Sequence, residues 1–233
     1  QLLRNNNTYI QAPHALGEVL ETGRIDLPLL INSYQSYLEE RNAFAKAQFN
    51  HADIIFQQEH VLYENIKAKR IVFAEGYGIT NNPYFNNLPL VGNKGEYIII
   101  KAPDLKLTRA LKTSFFVVPL GSDHYKVGAT FNWTDKDSIP SPSAKAELIE
   151  KLKTLISCEY EIIEHIAGMR PTTGDRRALI GVHPKHKQLA LLNGLGTRGI
   201  MASPLLAYYL FQHIENDTPL LPEIDINRFP KKF

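Results

Sequence analysis

The sequence has little sulfur and no long apolar run. Its 233 residues include one cysteine, Cys158, so no disulfide can form within the chain, and we expect a cytoplasmic location. The first residues show no secretory pattern. No apolar run approaches the roughly 20 residues that a membrane helix needs. With 44% apolar and 21% charged residues, the composition is that of a soluble globular protein.

Charge clusters and metal-binding patterns are also lacking. The formal net charge is +2, which is too small to indicate a surface for nucleic acid or an anionic membrane. The eight histidines show no metal-ligand spacing, so we predict no metal site. The chain has the length of a globular domain and contains strand and helix patterns, so its function must be inferred from local motifs.

Two segments have the pattern of amphipathic helices. Asp26 precedes the first as an N-cap, with Pro28 in its first turn, and its apolar face consists of Leu29, Leu30, Tyr34, Tyr37 and Leu38. Ser141 or Ser143 precedes the second, which runs to residue 157. Both helices are predicted to bury one face.

Strand patterns fall into two groups. In the middle of the chain, residues 94–103, 114–121 and 125–133 are rich in β-branched and aromatic residues, and short turns between them favour an antiparallel sheet. Residues 71–74, Ile-Val-Phe-Ala, form a continuous apolar run that predicts a strand buried on both faces. A second strand pattern lies at 188–192.

A glycine-rich turn follows that second strand. Gly194, Gly196 and Gly199 have the Gly-x-Gly-x-x-Gly spacing of a dinucleotide-binding turn, and an apolar helix pattern follows at 205–214. The full motif needs an acidic residue about 20 positions later, at the end of another strand. The remaining residues contain three prolines beyond that helix and no suitable strand. Two interpretations stay open: an anion or an electron-rich ring edge at the helix start, with Pro204 in the first turn, or a tight packing turn.

Several segments, taken in order, resemble a known enzyme family. Ala-Gly-Met-Arg-Pro-Thr-Thr-Gly-Asp at 167–175 and Leu-Asn-Gly-Leu-Gly-Thr-Arg-Gly-Ile at 192–200 resemble the C-terminal signature of the D-amino-acid-oxidase family of FAD-dependent oxidoreductases. Segments 71–76, 88–100 and 125–133 resemble its buried strand, the start of its substrate sheet and its Val-Gly-Ala-Thr strand. The resemblance covers nearly the whole chain.

The resemblance implies an α/β (α+β) fold. A partial FAD-binding unit, residues 17–80 and 166–233, would be interleaved with a mostly antiparallel substrate-binding domain, residues 82–165. In the first unit, we expect 71–74 and 188–192 to be neighbouring strands. In the family, the fingerprint for the adenosine half of FAD lies upstream of such segments. We therefore expect this sequence to be the C-terminal part of a longer enzyme, inactive alone and binding FAD weakly or not at all.

The resemblance also implies site residues. The cofactor contacts would come from the two glycine turns, at Gly76, Gly194, Leu195, Gly196, Thr197, Arg198, Gly199 and Ile200. Arg170 matches the arginine that binds a substrate carboxylate in glycine-oxidase-like members, and its guanidinium suits a carboxylate. A structural ion pair with Asp175 or Glu164 is the alternative. Tyr125 is a candidate for lining the substrate pocket.

The implied reaction is oxidation of the C–N bond of an amine or amino acid by hydride transfer to flavin. Leu195 and Phe131 differ from the histidine and lysine of some family members, so the electron acceptor and the substrate stay open. Two further functions are possible. Gly-Leu-Gly-Thr-Arg-Gly also resembles the flavin domain of the tRNA wobble-uridine modification enzyme, although the low charge argues against nucleic acid. The other is a non-catalytic binding domain.

Overall fold

A computed structural model describes residues 2–233. The helices are α1 (Leu27–Glu39), α2 (Pro142–Lys153) and α3 (Gly199–Asn216). The strands in chain order are β1 (Leu2–Leu3), β2 (Leu16–Gly17), β3 (Ile54–Phe56), β4 (Val61–Tyr63), β5 (Ile66–Ala68), β6 (Ile71–Phe73), β7 (Leu90–Lys101), β8 (Leu111–Lys112), β9 (Phe116–Gly121), β10 (His124–Gly128), β11 (Glu161–Thr173), β12 (Leu179–Val182) and β13 (Leu189–Asn193). Mixed helices and sheets agree with the predicted fold class.

The middle of the chain forms one five-stranded antiparallel sheet, as predicted. Its strand order is β11-β7-β10-β9-β8, and β10 pairs with β7 and β9 on either side. Helix α2 packs on one face through Ala144, Leu148 and Leu152, and Ser141 caps it by accepting a hydrogen bond from the Ala144 backbone N–H. Fully buried Ile98, Ile100 and Val127 form the core beneath the helix.

A second, three-stranded sheet has the order β12-β13-β6. Strands β6 and β13 are parallel neighbours, with Ile71 opposite Leu189, which confirms the predicted pairing of these two segments. Their residues Phe73, Leu189 and Leu191 are buried in a core shared with a small antiparallel sheet of β3, β4 and β5. Parallel pairing places the carboxyl ends of both strands, and the glycine turns that follow them, at the same edge of the sheet.

The prediction that the strand at 71–74 is buried on both faces was wrong. Val72 is 47% exposed, whereas Phe73 is 4% exposed. The reason is the position of β6 as an edge strand of its sheet: α3 packs on this face over β12 and β13, where it buries Ala190, and leaves Val72 of β6 uncovered. An apolar run shows which side chains avoid water, but it does not show what covers them.

Two helix predictions also needed correction. Asp26 caps α1 as expected, but α1 has no buried residue and its apolar face, including Leu29 and Tyr34, is exposed. Helix α3 begins at Gly199, so Pro204 lies in its second turn and not in its first. Among residues 2–233, no helix combines the length and apolar character needed to cross a bilayer.

Strand β11 connects the two regions. It pairs with β7 from Glu161 opposite Lys101 to Thr173 opposite Leu90. Its first half belongs to the helix-covered sheet, and its last residues contact the turn that precedes α3. The candidate arginine, Arg170, lies between these two ends.

Candidate functional site

Arg170 lies flat on the face of the large sheet that α2 does not cover. It is opposite Asn93 in the β7–β11 ladder. Its Nη1 donates hydrogen bonds to Asn93 Oδ1 at 2.7 Å and to the Thr130 carbonyl oxygen at 3.1 Å, and its Cζ lies 4.5 Å from the centre of the Phe131 ring. Asn93 is itself 1% exposed, so the anchor of the guanidinium is held in a fixed position.

Gly95 makes room for this arrangement. A Cβ atom at Gly95 would lie 2.0 Å from Nη2 and 2.1 Å from Cζ of Arg170, far inside van der Waals contact. Only glycine lets the guanidinium rest on the backbone at this point. Gly168, directly opposite in the ladder, has no heavy atom within 4 Å of an added Cβ, so the floor beside the arginine is open.

The Arg170 guanidinium has no carboxylate partner within the part of the chain that the structure describes. Asp175 pairs instead with Arg228 at 3.1 Å, and the contacts of Arg170 are with an amide and a backbone carbonyl. Partial burial lowers the pKa of Arg170, but a guanidinium stays charged at neutral pH. A half-buried cation that lacks a counterion is suited to receive an anionic ligand.

The glycine turn after β13 has the backbone geometry of a ligand-binding turn. Gly194 and Gly196 have φ values of +72° and +55°, a region that glycine enters without strain. No side chain caps the start of α3, and its first turn contains no acidic residue. The free N–H groups and the positive end of the helix dipole therefore stay available to an electron-rich group.

Asn193 joins the two glycine turns. Its side-chain amide donates to the Gly76 carbonyl oxygen at 2.9 Å, and its Oδ1 accepts from the Gly194 N–H at 2.7 Å. Gly76 has a φ of +58°, so the turn after β6 is also left-handed. Of the other predicted cofactor residues, Leu195 is partly buried, whereas Thr197, Arg198 and Ile200 are exposed at the start of α3.

The structure brings Arg170 and the α3 turn together on β11. Thr172 lies two residues beyond Arg170 and therefore points to the same face of the strand. A Cβ atom at Gly196 would lie 3.3 Å from the Thr172 methyl carbon, so the turn sits on β11 beside the arginine. Alternate residues of a strand are about 7 Å apart, so the Cα atoms of Arg170 and Thr172 are separated by about this distance along β11.

Tyr125 lies elsewhere. It pairs with Ile100, points toward α2 and is 3% exposed in the apolar core, where its hydroxyl accepts a hydrogen bond from the Leu107 N–H at 3.3 Å. The expectation that Tyr125 lines a pocket with Arg170 is therefore corrected: the two side chains are on opposite faces of the sheet. Residue types identify a strand, but its register decides which face each side chain takes.

The sequence interpretation missed Asn93 and Gly95, which border the Arg170 guanidinium, and named Phe131 only as a difference from the family's lysine. Asn93, Gly95 and Tyr97 alternate along β7, and a period-two pattern places them on one face. Because Arg170 is opposite Asn93, that alternation identifies the residues on its face.

Comparison with known proteins agrees with this geometry. The family model of FAD-dependent oxidoreductases, the DAO family, matches residues 12–213. Glycine oxidase of Bacillus subtilis (strain 168) is 23% identical over 209 residues, which is 82% of this chain and 56% of the relative. The bifunctional tRNA 5-methylaminomethyl-2-thiouridine biosynthesis protein MnmC of Idiomarina loihiensis is 26% identical over 177 residues, 70% of this chain and 29% of the relative.

Solved structures show the same fold. Iminodiacetate oxidase from Chelativorans sp. BNC1 superposes with a TM-score of 0.71 at 20% identity, over 86% of this chain and 58% of that one. Glycine oxidase from Geobacillus kaustophilus gives a TM-score of 0.62 at 23% identity, over 74% of this chain and 50% of that one. The chain thus spans little more than half the length of these proteins, and it belongs to the DAO family of FAD-dependent oxidoreductases.

Proposed function

We propose that this chain provides the substrate-binding sheet and the second flavin contact of an enzyme that oxidises the C–N bond of a small amine or amino acid bearing a carboxylate. One observation carries the proposal: the guanidinium of Arg170 lacks a carboxylate partner and belongs to the strand whose Thr172 contacts the turn before the uncapped start of α3. A carboxylate bound by Arg170 would place the adjacent carbon next to that turn. Residues 17–80 with 166–233 would form the flavin unit, and residues 82–165 the substrate domain.

The residues of the two turns suit FAD. Backbone N–H groups of the turn at 195–200, except that of Arg198, which donates to the Leu195 carbonyl oxygen, would hold the ring end of the cofactor together with the Gly76 turn. When bound, FAD supplies the two-electron oxidant that turns the amine into an imine, which water then hydrolyses. The positive end of the α3 dipole would stabilise negative charge that develops nearby. The protein's own contribution is to bind the carboxylate, orient the amine and fix its distance from the turn.

A substrate panel tests the proposal on the FAD-loaded enzyme. Glycine and N-methylglycine are compared with methylamine and dimethylamine, which lack only the carboxylate. We expect kcat/KM to be about 100-fold higher for the carboxylated member of each pair, because a partly desolvated ion pair contributes about 3 kcal/mol. Equal turnover of both members, or none of either, would contradict the proposal.

FAD affinity gives a second test. We expect the 233-residue chain alone to bind FAD with a Kd on the order of 10 µM or weaker. Its sequence holds one Gly-x-Gly-x-x-Gly turn, at 194–199, with no following strand and acidic residue to bind the ribose. Titration monitored by flavin fluorescence measures this value. FAD that remains stoichiometrically bound through purification would contradict the expectation.

A second candidate function is modification of tRNA at the wobble uridine. It is favoured by the match to MnmC and by the Gly-Leu-Gly-Thr-Arg-Gly turn at 194–199. In that case the amine would be attached to a nucleoside, and the enzyme would act on tRNA in preference to free amino acids. The net charge of +2 favours the small-molecule substrate, and a cytoplasmic location remains a prediction for either function.

A further inference from the structure

The face of the sheet that carries Arg170 has a second cation. Lys126 of β10 is opposite Ile99, and Arg170 of β11 is opposite Asn93. Both partners occupy odd-numbered positions of β7, so both side chains project to the same face. The Lys126 Nζ lies 3.7 Å from the centre of the Tyr97 ring.

Lys126 resembles Arg170 in having no anionic partner. No carboxylate of residues 2–233 lies within 4.0 Å of its Nζ, and burial, which lowers the pKa of Lys126, is the one influence on it. An ammonium on an aromatic face gains a cation–π attraction of about 1 kcal/mol, but this does not replace a counterion. The side chain is partly exposed, so a ligand on this face can reach it.

The two cations lie within reach of one small molecule. The Arg170 guanidinium rests on Gly95, and Tyr97, beneath Lys126, is the next residue of β7 on the same face, about 7 Å away. Beside the guanidinium the surface is low, because Gly168, opposite Gly95, has no side chain. Gly128 also leaves space for the Tyr97 side chain, since an added Cβ would lie 2.8 Å from Tyr97 Cβ.

Two acidic residues of β11 share this face: Glu161, opposite Lys101 at the far end of the ladder, and Glu164. Glu164 is opposite Ile99 from the β11 side, in the same row as Lys126 but two strand spacings away, about 10 Å. Its charge, after burial, is a second cause of the raised pKa of Tyr97. Ile99 of β7 lies between Glu164 and Lys126. Along β7, Tyr97 separates the position of Glu164 from Gly95, where the Arg170 guanidinium lies. The space between the two cations therefore contains no carboxylate of these strands.

We propose that Lys126, held on the Tyr97 ring, is a second anion subsite, which binds a second carboxylate of a substrate whose first carboxylate is held by Arg170. This inference rests on the proposed role of Arg170 and narrows the substrate class to small amino dicarboxylates, with the amine between the two acid groups. Lys126 is then a specificity-determining residue. It selects the ligand by charge at a fixed distance and takes no part in the chemical step.

Two achiral ligands test this. Iminodiacetate and N-methylglycine are both secondary amines and differ by one carboxylate, so enantiomer preference does not enter. On the 233-residue chain, calorimetry is expected to give iminodiacetate a Kd about tenfold lower than that of N-methylglycine. In Lys126→Met, which keeps an apolar stem on Tyr97, this ratio is expected to fall to within about twofold of one, with the affinity for N-methylglycine unchanged.

Lys101→Met is the matched control, since Lys101 lies on the same face of β7, farther from Arg170, and is exposed; it should leave the ratio unchanged. A second readout is the ¹³Cε chemical shift of Lys126, whose titration should move to higher pH when iminodiacetate binds. The second subsite would be overturned by an equal ratio of the two Kd values in wild type and Lys126→Met. It would also be overturned by a Lys126 titration that does not move when iminodiacetate binds. If instead Arg170→Met leaves the affinity for N-methylglycine unchanged, the proposed role of Arg170 fails and the ratio still reports on Lys126.

Discussion

Replacing Arg170 by methionine is expected to lower kcat/KM for glycine and N-methylglycine about 100-fold or more, while oxidation of methylamine and dimethylamine changes less than about threefold. Loss of a partly desolvated charge pair costs about 3 kcal/mol or more, and only carboxylated substrates make that pair. Steady-state kinetics of the FAD-loaded enzyme on these four amines measures the effect. Arg170→Lys should recover part of it, because an ammonium cannot reproduce the guanidinium fork.

The folded state should tolerate this change. Arg170 has no ion pair to break, and its removal leaves Asn93 Oδ1 and the Thr130 carbonyl without one donor each. Each unsatisfied group costs about 1–3 kcal/mol, which denaturant unfolding can quantify separately from turnover. An equal loss of activity on both substrate classes would remove Arg170 from substrate binding and assign it a structural role.

Gly95→Ala is expected to reproduce most of the Arg170 defect without removing the guanidinium. The new methyl group would occupy the position that Nη1, Nη2 and Cζ now border at 2.0–2.2 Å, so the head of Arg170 must leave Asn93. The obstructed atoms are the end of a flexible side chain, and the sheet itself need not move. We expect kcat/KM for glycine to fall at least about tenfold, with a small change in the free energy of unfolding.

Two comparisons make this test specific. Gly17→Ala adds the same methyl group in β2, outside the large sheet, where nothing lies within 4 Å, and should leave kinetics near wild type. In the Arg170→Met background, Gly95→Ala should have little further effect, since both changes remove one interaction and such effects do not add. A full additional loss in the double variant would show that Gly95 acts independently of the arginine.

Local patterns predicted the elements well. Apolar runs at 71–74 and 188–192 predicted strands, the family resemblance predicted that they are neighbours, and the ladder from Ile71 opposite Leu189 confirms both. Ser141 was one of two predicted caps for α2, and its side chain makes the capping bond. These predictions succeeded because capping and strand formation depend on residues close in sequence.

Which face a residue takes was harder to predict. Tyr125 was assigned to the pocket and lies in the core, whereas Tyr97, two positions beyond Gly95, lies on the open face. A shift of one residue in register exchanges the two faces of a strand, and the register is fixed by partners far away in sequence. For α1, the apolar stripe was correct, but the stripe carries no information on what packs against it.

The ladder between β7 and β11 keeps one register from Glu164 to Thr173, and this has a consequence for motion. Arg170 and Thr172 belong to one strand that is hydrogen-bonded to the same partner on both sides of the site, so the anion site and the glycine turn share a rigid support and no hinge separates them. Moving the anion site relative to the glycine turn would require breaking several hydrogen bonds of the ladder, which is a sub-global unfolding event. We therefore expect those amide protons of 166–173 that are hydrogen-bonded to β7 to exchange slowly, and ligand traffic to depend on the surrounding loops.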